Sequence, residues 1–293
     1  MRHLFIDSEP GGHPVPVPCH VMGVSRPGYY AWRSRGPSGR KLEDGRLKAM
    51  TRQAHAQNRC AYGVKNILEA LRREGARTSK RRCGRLMREI GISGVLKRKK
   101  SPRTTARGQR DRHADDLVRR GLTASAPNRL WSADITYVKT HAGWLYLAVV
   151  LDVFSRAIVG WSMSRSLAAG LVDDALRMGL GRRRPQEGLV HHSDKGSRYC
   201  SLLLGKTLRE HGIQPSMGAV ASPWDNAVTE SLIPTIKAEC TDIRAYGSVE
   251  EAVLDIFDYI EVFYNRARLH SALGMMSPME FEEAYYQRSA LAG

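Results

Sequence analysis

Apolar and polar residues alternate strictly from Trp131 to Tyr137, and this pattern constrains the fold of the chain more than any other. Successive side chains of a β-strand point to opposite faces, so Trp131 and Ile135 share one face and Asp134 lies on the other. Further strands are predicted at 144–153, 156–163, 188–192 and near Gln214, and helices at 168–180 and 200–211. Three strands followed by alternating helices and strands predict an α/β fold with a mixed five-stranded sheet flanked by helices.

The region before this sheet has helical periodicity. Helices are predicted over 46–57 and 64–74, and a third, capped by Thr78 or Ser79, runs to Ile90. Its candidate DNA contacts are Lys80, Arg81, Arg82 and Arg85. Two helices joined by a short turn, the second rich in arginine, are typical of an all-α helix-turn-helix region, although a plain helical bundle gives the same pattern. The proline-rich stretch 13–18 predicts an extended lead-in over 1–18.

Positive charge is concentrated on the amino-terminal side of the chain. Residues 1–120 hold 29 lysines and arginines against 10 aspartates and glutamates, whereas the rest of the chain is close to neutral. Eight of the sixteen residues from 97 to 112 are basic and show no apolar period, which predicts a basic linker. Its candidate DNA contacts are Lys97, Arg98, Lys99 and Lys100. A basic module joined to a near-neutral body favours nucleic acid binding over the alternative of a solubilising surface.

Composition also excludes several protein classes. The longest apolar stretch, 144–151, is far shorter than the ~18 residues that a membrane-spanning helix needs. Charged side chains occupy residues 1–12, where a secretory signal would have an apolar run. Five cysteines without a C-x-x-C pair argue against a disulfide framework and against a cysteine-ligated zinc site. We therefore expect a cytoplasmic protein with no membrane partner.

Two further acidic residues lie at the boundaries of predicted elements. Asp194 follows the strand at 188–192, and Asp225 can cap a helix that carries Glu230 on its second turn. On that helix Asn226, Glu230 and Lys237 share one face, because they are four and seven residues apart at 3.6 residues per turn. The chain therefore presents three acids, Asp134 included, at places where a fold can bring them together.

The remaining polar candidates have simpler interpretations. His191 and His192 point to opposite faces of a strand and have no third nitrogen or sulfur ligand nearby in the sequence, so zinc is not predicted and His192 is at most adjacent to a site. Asp152 is expected to pair with Arg156 across a hairpin turn, in a structural role, with proximity to Asp134 as the alternative.

Two more helices are predicted near the carboxyl terminus, at 250–264 and 278–286. The segment between them carries Arg266, Arg268 and His270. Either its arginines contact DNA or they hold the carboxyl-terminal segment in place, and the sequence favours neither alternative.

The motifs around the acids resemble those of a known family. They are W-S-A-D-I-T-Y, H-S-D-K-G-S-R-Y, W-D-N-A-V-T-E-S and, after them, Y-N-R-A-R-L-H-S-A-L-G-M-M-S-P. With 35 residues between Asp194 and Glu230, the chain resembles the D,D-35-E proteins of the retroviral integrase superfamily, and more specifically the second-frame (OrfB-type) proteins of bacterial insertion-sequence transposases. This resemblance covers about residues 19–285. It implies a helix-turn-helix region at 19–96, a linker at 97–125, an RNase H-like catalytic core at 126–245 and a helical extension at 246–293.

The resemblance also implies a chemistry. It is that of a DNA transposase, a polynucleotidyl transferase that cleaves insertion-sequence ends and joins them to target DNA through the DDE triad Asp134, Asp194 and Glu230. The triad would bind two Mg²⁺ ions, or Mn²⁺ as a substitute, with Asp134 bridging both. Lys237 would contact a phosphate of the transposon end, with Asn226 and His192 beside the site.

The partners that the resemblance implies are transposon-end and target DNA in the bacterial nucleoid, and further copies of the chain in a homo-oligomer on DNA. No heptad repeat is found near the amino terminus, so an upstream reading frame is expected to supply a dimerisation segment as a partner or a fusion. A DNA-binding remnant or regulator, and a metal-dependent nuclease of the same fold, are the alternatives.

One departure from the family pattern lies beside the third acid. Relatives usually carry two aromatic residues after the glutamate, whereas this chain has Ser231-Leu232-Ile233-Pro234. Proline has no N–H for the carbonyl of Glu230, and an interior helix proline costs ~3 kcal/mol or more. The sequence therefore predicts a kink or local strain beside Glu230. The chain is then either an active enzyme with a bent helix or a copy of the transposase with weakened activity.

Overall fold

The computed structural model describes residues 1–8, 11–95, 114–118, 123–168, 170–194, 196, 198–218 and 227–292, with the backbone alone at 227–230 and 292. The helices before the sheet are α1 Arg2–Asp7, α2 Pro16–Val21, α3 Arg26–Ser34, α4 Gly39–Gln57, α5 Val64–Arg73 and α6 Lys80–Glu89. The expected extended lead-in is wrong, because both α1 and α2 begin within residues 1–18. Pro16 stands in the first turn of α2, where a missing N–H costs nothing.

Helices α4, α5 and α6 form the predicted helix-turn-helix region. α4 begins earlier than the predicted residue 46 because the hydroxyl of Ser38 caps it, accepting from the Lys41 N–H at 3.3 Å. Ser79 caps α6 in the same way, at 3.2 Å from the Arg82 nitrogen. The apolar faces of the three helices pack together through residues such as Leu47, Ile67 and Leu86.

The five predicted strands are confirmed as one mixed sheet. They are β1 Leu130–Thr140, β2 Gly143–Asp152, β3 Ile158–Ser164, β4 Val190–Ser193 and β5 Gln214–Met217, in the order β3-β2-β1-β4-β5. The first three strands form an antiparallel meander, while β4 runs parallel to β1 and β5 parallel to β4. This is the mixed five-stranded, RNase H-like arrangement that the alternation pattern and the family resemblance predict.

The two faces of the sheet are covered by different parts of the chain. The first face, which includes Trp131 and Val150, packs against α7 Gly170–Arg183 and α8 Leu202–Glu210. The second face, which includes Val149 and Leu151, packs against α9 Ala227–Ile236, α10 Val249–Asp258 and the helix-turn-helix region. Asp134 pairs with Val149 in the β1–β2 register, so its side chain belongs to the second face.

The carboxyl-terminal elements include two π-helical stretches. α9 continues as π1 Lys237–Thr241 and α10 continues as π2 Tyr259–Tyr264, so the helix predicted at 250–264 is present but ends in π geometry. A short 3₁₀ turn at Ser271–Leu273 precedes α11 Pro278–Ala292. Among the helices that the structure describes, none combines the length and the apolarity needed to cross a bilayer.

The helix-turn-helix region is joined to the carboxyl-terminal elements by a continuous set of contacts. The hydroxyl of Tyr62 accepts from the Leu269 N–H at 2.8 Å and donates to the Ala267 carbonyl at 3.2 Å. Arg59 forms ion pairs with Asp255 and Asp258 on α10, and Arg73 pairs with Glu280 on α11. The two regions therefore share one apolar core rather than lying on a flexible tether.

Candidate active site

The register of two parallel strands brings the first two predicted acids together. Ser132 of β1 pairs with His192 of β4, and Asp134 and Asp194 each follow two residues later. Neighbouring strands lie about 4.8 Å apart, so the two acids stand side by side where β4 ends.

Each of these carboxylates is oriented by a local backbone contact. Oδ1 of Asp134 accepts from the Ile135 N–H at 2.7 Å, and Oδ1 of Asp194 accepts from the Gly196 N–H at 3.0 Å. A Cβ at position 196 would lie only 2.9 Å from that Asp194 oxygen. A side chain at position 196 would therefore displace this Asp194 oxygen.

Tyr199 lies near both carboxylates and was not singled out from the sequence, although it ends the H-S-D-K-G-S-R-Y motif. Its side chain is buried, and no described group forms a hydrogen bond with its hydroxyl. Burial first, and then the negative charges of Asp134 and Asp194, raise the pKa of Tyr199 well above its ordinary value. Its phenol thus lies within electrostatic range of both acids.

The two histidines have structural surroundings. His192, on the same face as Asp134, is buried with Nδ1 at 3.0 Å from the Ser216 hydroxyl of β5. His191 is buried on the first face, 6.4 Å from the Tyr199 ring, and burial lowers its pKa to about 4. No group of three or more potential metal-ligating side chains that includes these histidines occurs among the described residues.

The helix that carries the third acid lies over the same face as Asp134. Leu232 and Ile236 of α9 pack into the core of the second face, and α9 contacts β1. The backbone of Glu230 is helical, but its side chain and the whole of Asn226 lie outside the described part of the chain. Convergence of all three acids therefore stays a prediction.

Comparison with known proteins shows which family the chain resembles. Two integrase core domain families match residues 124–223 and 211–278, and an HTH-like domain family matches residues 41–100. Transposase InsF for insertion sequence IS3A of Escherichia coli (strain K12) is 35% identical over 284 residues, which is 96% of this chain and 98% of that protein. The insertion element IS600 uncharacterized 31 kDa protein of Shigella sonnei is 39% identical over 272 residues, 93% of this chain and 100% of that protein. The chain belongs to the insertion-sequence transposases with an integrase core.

Solved structures of integrases also align with part of the chain. The HTLV-2 integrase catalytic core domain in complex with magnesium aligns with 54% of this transposase and 98% of that chain, at 18% identity and a TM-score of 0.37. At this level the likeness adds nothing to the family assignment, which rests on the curated relatives.

Lys237 of the transposase lies at the start of π1 and close to the strand of Asp134. Its Nζ atom is 4.4 Å from the centre of the Tyr137 ring of β1, a cation–π contact. The side chain is therefore half-buried beside β1 rather than freely exposed on a helix. Contact between Lys237 and a DNA phosphate stays a prediction.

Pro234 is accommodated inside α9, which continues through it to Ile236. The Thr235 hydroxyl donates to the Ser231 carbonyl at 2.6 Å, next to the Glu230 carbonyl that proline leaves without its usual donor. The backbone departs from α geometry only afterwards, at π1, where the Asp242 N–H donates to the Lys237 carbonyl at 2.7 Å. Wide helical turns of this kind are common at functional sites.

The candidate DNA contacts on α6 fall into two groups. Arg82 and Arg85 both pair with Asp44 of α4 at 2.7 Å, and this pairing lowers the pKa of Asp44. These two side chains hold α6 against α4, and DNA binding by either one stays a prediction. Lys80 and Arg81 are exposed and form no ion pair with a described residue. Lys97, Arg98, Lys99 and Lys100 lie outside the described residues.

Arg268 of the Y-N-R-A-R-L-H motif fixes the carboxyl-terminal segment in place. Its Nε and Nη2 atoms donate to the two carboxylate oxygens of Glu239 in π1, each at 2.7 Å, and Tyr259 donates to Glu239 at 2.9 Å. Both charged side chains are nearly nine-tenths buried. Of the two alternatives for this arginine, the structure therefore favours the structural one.

The predicted ion pair between Asp152 and Arg156 is wrong. The buried Asp152 carboxylate accepts instead from the N–H groups of Asn128 at 2.7 Å and Phe154 at 2.8 Å, so both of its oxygens are satisfied by backbone. Arg156 contacts Asp152 only through its own backbone N–H, which donates to the Asp152 carbonyl at 2.8 Å. The turn is also fixed from outside, because the Asn265 amide exchanges two 2.9 Å hydrogen bonds with the Ile158 backbone.

Proposed function

We propose that this transposase cleaves insertion-sequence ends and joins them to target DNA by metal-dependent phosphoryl transfer at Asp134, Asp194 and Glu230. The observation that supports the proposal most is the parallel register of β1 and β4, which puts two carboxylates side by side at the end of a strand. The packing of α9 on the face to which Asp134 points supports Glu230 as the third.

The donor atoms suit magnesium. Mg²⁺ prefers carboxylate oxygens and keeps water and substrate phosphate in its remaining positions, and Mn²⁺ accepts the same ligands. Asp134, Asp194 and Glu230 would hold two such ions. When bound, such an ion pair stabilises the attacking and leaving oxygens of an in-line displacement.

The chain's own residues have definite tasks in this proposal. The Gly196 N–H holds one oxygen of Asp194 in place, and the buried Tyr199 phenol lies within electrostatic range of both acids. Lys237, held at the Tyr137 ring, places positive charge beside β1, where it can bind a phosphate of the transposon end.

The DNA partners are proposed from charge and fold together. The helix-turn-helix region exposes Lys80 and Arg81 on α6, and the basic segment 97–112 follows it in sequence. We propose that these bind transposon-end DNA in the bacterial cytoplasm, and that several copies assemble on it. A segment from an upstream reading frame, as a partner or a fusion, would supply dimerisation.

Substitution of the three acids tests the proposal. Asp134→Asn, Asp194→Asn and Glu230→Gln should each reduce Mg²⁺-dependent cleavage of an oligonucleotide carrying the element's own end by more than about 100-fold, beyond the 10–100-fold typical of outer-shell changes. DNA binding should be retained, because the carboxylates are not needed for it. Asp174→Asn, an exposed acid of α7, is the matched control and should leave cleavage unchanged.

The same assay separates the alternatives. Transfer of a labelled 3′-end to target DNA is expected, whereas cleavage without transfer would indicate a nuclease. Binding with no cleavage in the parent chain, restored by Pro234→Ala, would indicate a copy weakened by its helix proline. Equal activity of the parent and Pro234→Ala is the result that we expect, since α9 already accommodates the proline.

A further inference from the structure

A pocket of about 440 Å³ opens between the β2–β3 turn, α9 and the carboxyl-terminal segment. Its polar lining includes Asn66, Arg156, Ser231, Thr235, Arg268 and His270. No acidic side chain lines it among the residues that the structure describes. The described lining is thus basic, and neither the family relationship nor the proposed triad accounts for it.

Arg156 is the charged residue of this pocket that lacks an internal partner. Within the described part of the chain no carboxylate or carbonyl accepts from its guanidinium, and burial lowers its pKa. A partly buried cation without a counter-ion is costly, and such groups persist where a ligand supplies the opposite charge. An anion in the pocket would supply this opposite charge.

The backbone holds Arg156 rigidly in the pocket wall. Its φ is +63°, a left-handed conformation that is uncommon for a side chain of this size. The 2.8 Å hydrogen bond to the Asp152 carbonyl and the Ser155 hydroxyl, which accepts from the Ala157 N–H at 3.3 Å, keep the turn in this form. Local strain of this kind is characteristic of binding and catalytic sites.

Arg268 on the opposite wall does not compete for the same anion. Glu239 occupies its Nε and Nη2 atoms, and its Nη1 atom faces the His270 ring at 3.2 Å. The Glu239 carboxylate neutralises the Arg268 charge and fixes its position. The net charge of the described lining is therefore set by Arg156.

The pocket adjoins the candidate active site. Leu151 in its lining pairs with Ser132 of β1, which is two residues, or about 7 Å of strand, before Asp134 on the same face. Ser231, also in the lining, directly follows Glu230. On the far side, Asn66 belongs to α5 of the helix-turn-helix region.

We propose that this pocket binds a backbone phosphate of the DNA strand, next to the phosphate that reacts, through the Arg156 guanidinium. Arginine forms paired hydrogen bonds with phosphate oxygens, and the Asn66 amide lines the same pocket. The proposal rests on the function proposed above. It adds that one DNA phosphate is held at the junction of the helix-turn-helix region and α9.

Binding measurements test this site apart from catalysis. They use the full chain with Asp134→Asn, without divalent cations, and an end-carrying oligonucleotide in which single phosphates near the cleavage point are replaced in turn by neutral methylphosphonates. One replacement should weaken binding by about tenfold, as expected for a hydrogen-bonded charge pair. Arg156→Gln should weaken binding by a similar factor, and the two changes together should cost no more than either alone.

Two variants and the salt dependence of binding keep the test interpretable. Arg209→Gln removes the same charge from the exposed surface of α8 and should leave the methylphosphonate effect intact. Arg156→Gln should also raise the melting temperature, because it removes an unpaired, partly buried charge, so a folding defect cannot imitate the expected result. The slope of log affinity against log salt should fall by about 0.9.

Three outcomes would overturn the proposal. The first two are additive effects of Arg156→Gln and every methylphosphonate, and an unchanged DNA affinity in Arg156→Gln. The third is stabilisation of the protein by inorganic phosphate that depends on Arg156, together with a DNA affinity that does not depend on it. None of these depends on cleavage. Failure of the pocket proposal is therefore distinguishable from failure of the triad, which only the cleavage assay reports.

Discussion

The two faces of the central sheet differ in where their covering residues come from. The first face is covered by α7 and α8, which lie between β3 and β5 in the sequence. The second face is covered by residues from α4–α6, which precede the sheet in the sequence, and by residues from α9 and α10–π2, which follow it. The second face also carries Asp134, the helix of Glu230 and the Arg156 pocket. The candidate functional groups thus lie on the face that is covered by segments from distant parts of the sequence.

This difference predicts that mutations on the two faces change the free energy of unfolding unequally. The largest change is expected at Arg268. Arg268→Ala leaves the buried Glu239 carboxylate without its counter-ion and should lower the free energy of unfolding by about 3–5 kcal/mol. Urea denaturation measures this change. Arg165→Ala, which removes an exposed pair with Glu250, should give no measurable change. Similar stability of the two variants would contradict the role assigned to the second face.

On the first face the expected effect depends on pH and is centred on His191. Its folded pKa of about 4 lies below the unfolded value near 6.5, so the unfolded chain binds more protons between these values. The contribution of His191 is fully present above pH 6.5 and falls as the pH drops to 4, by up to about 3 kcal/mol. Unfolding of the parent and His191→Gln across this range should diverge accordingly. Parallel curves would show that the buried imidazole is not neutral.

A smaller change in the free energy of unfolding is expected when one tyrosine hydroxyl is removed from each core. Tyr62→Phe removes the acceptor of the Leu269 N–H and a donor to the Ala267 carbonyl, and should cost about 1–2 kcal/mol. Tyr199→Phe, on the first face, removes a buried hydroxyl that has no partner among the described groups and should not lower the free energy of unfolding. Equal losses would mean that Tyr62 does not join the helix-turn-helix region to the carboxyl-terminal segment.

The first face was predictable from sequence because its contacts are local in the chain. Alternation from Trp131 to Tyr137 defined β1, and the strand-helix order up to Gln214 gave the five strands and α7 and α8 within a few residues. The same pattern predicted Asp134 on the polar face of a strand and Asp194 just after another, whereas the parallel register of β1 and β4 is seen only in the structure.

The second face could not be predicted in this way. Nothing in the local sequence indicates that Arg82 and Arg85 pair with Asp44, that Asn265 binds the Ile158 backbone, or that Arg156 lies in a pocket away from Asp152. Each of these contacts joins residues whose proximity depends on the complete fold. The helix at Pro16–Val21 was missed for a different reason, because prolines are tolerated in a first helical turn as well as in extended chain.

The most direct test of the account is the position of bound metal in crystals soaked with Mn²⁺, located by its anomalous scattering. The account predicts two peaks about 3.5–4 Å apart, with the Asp134 carboxylate between them and oxygens of Asp194 and Glu230 each coordinating one. Peaks remote from β1 and β4, or Asp134 and Asp194 oxygens that share no metal, would contradict it.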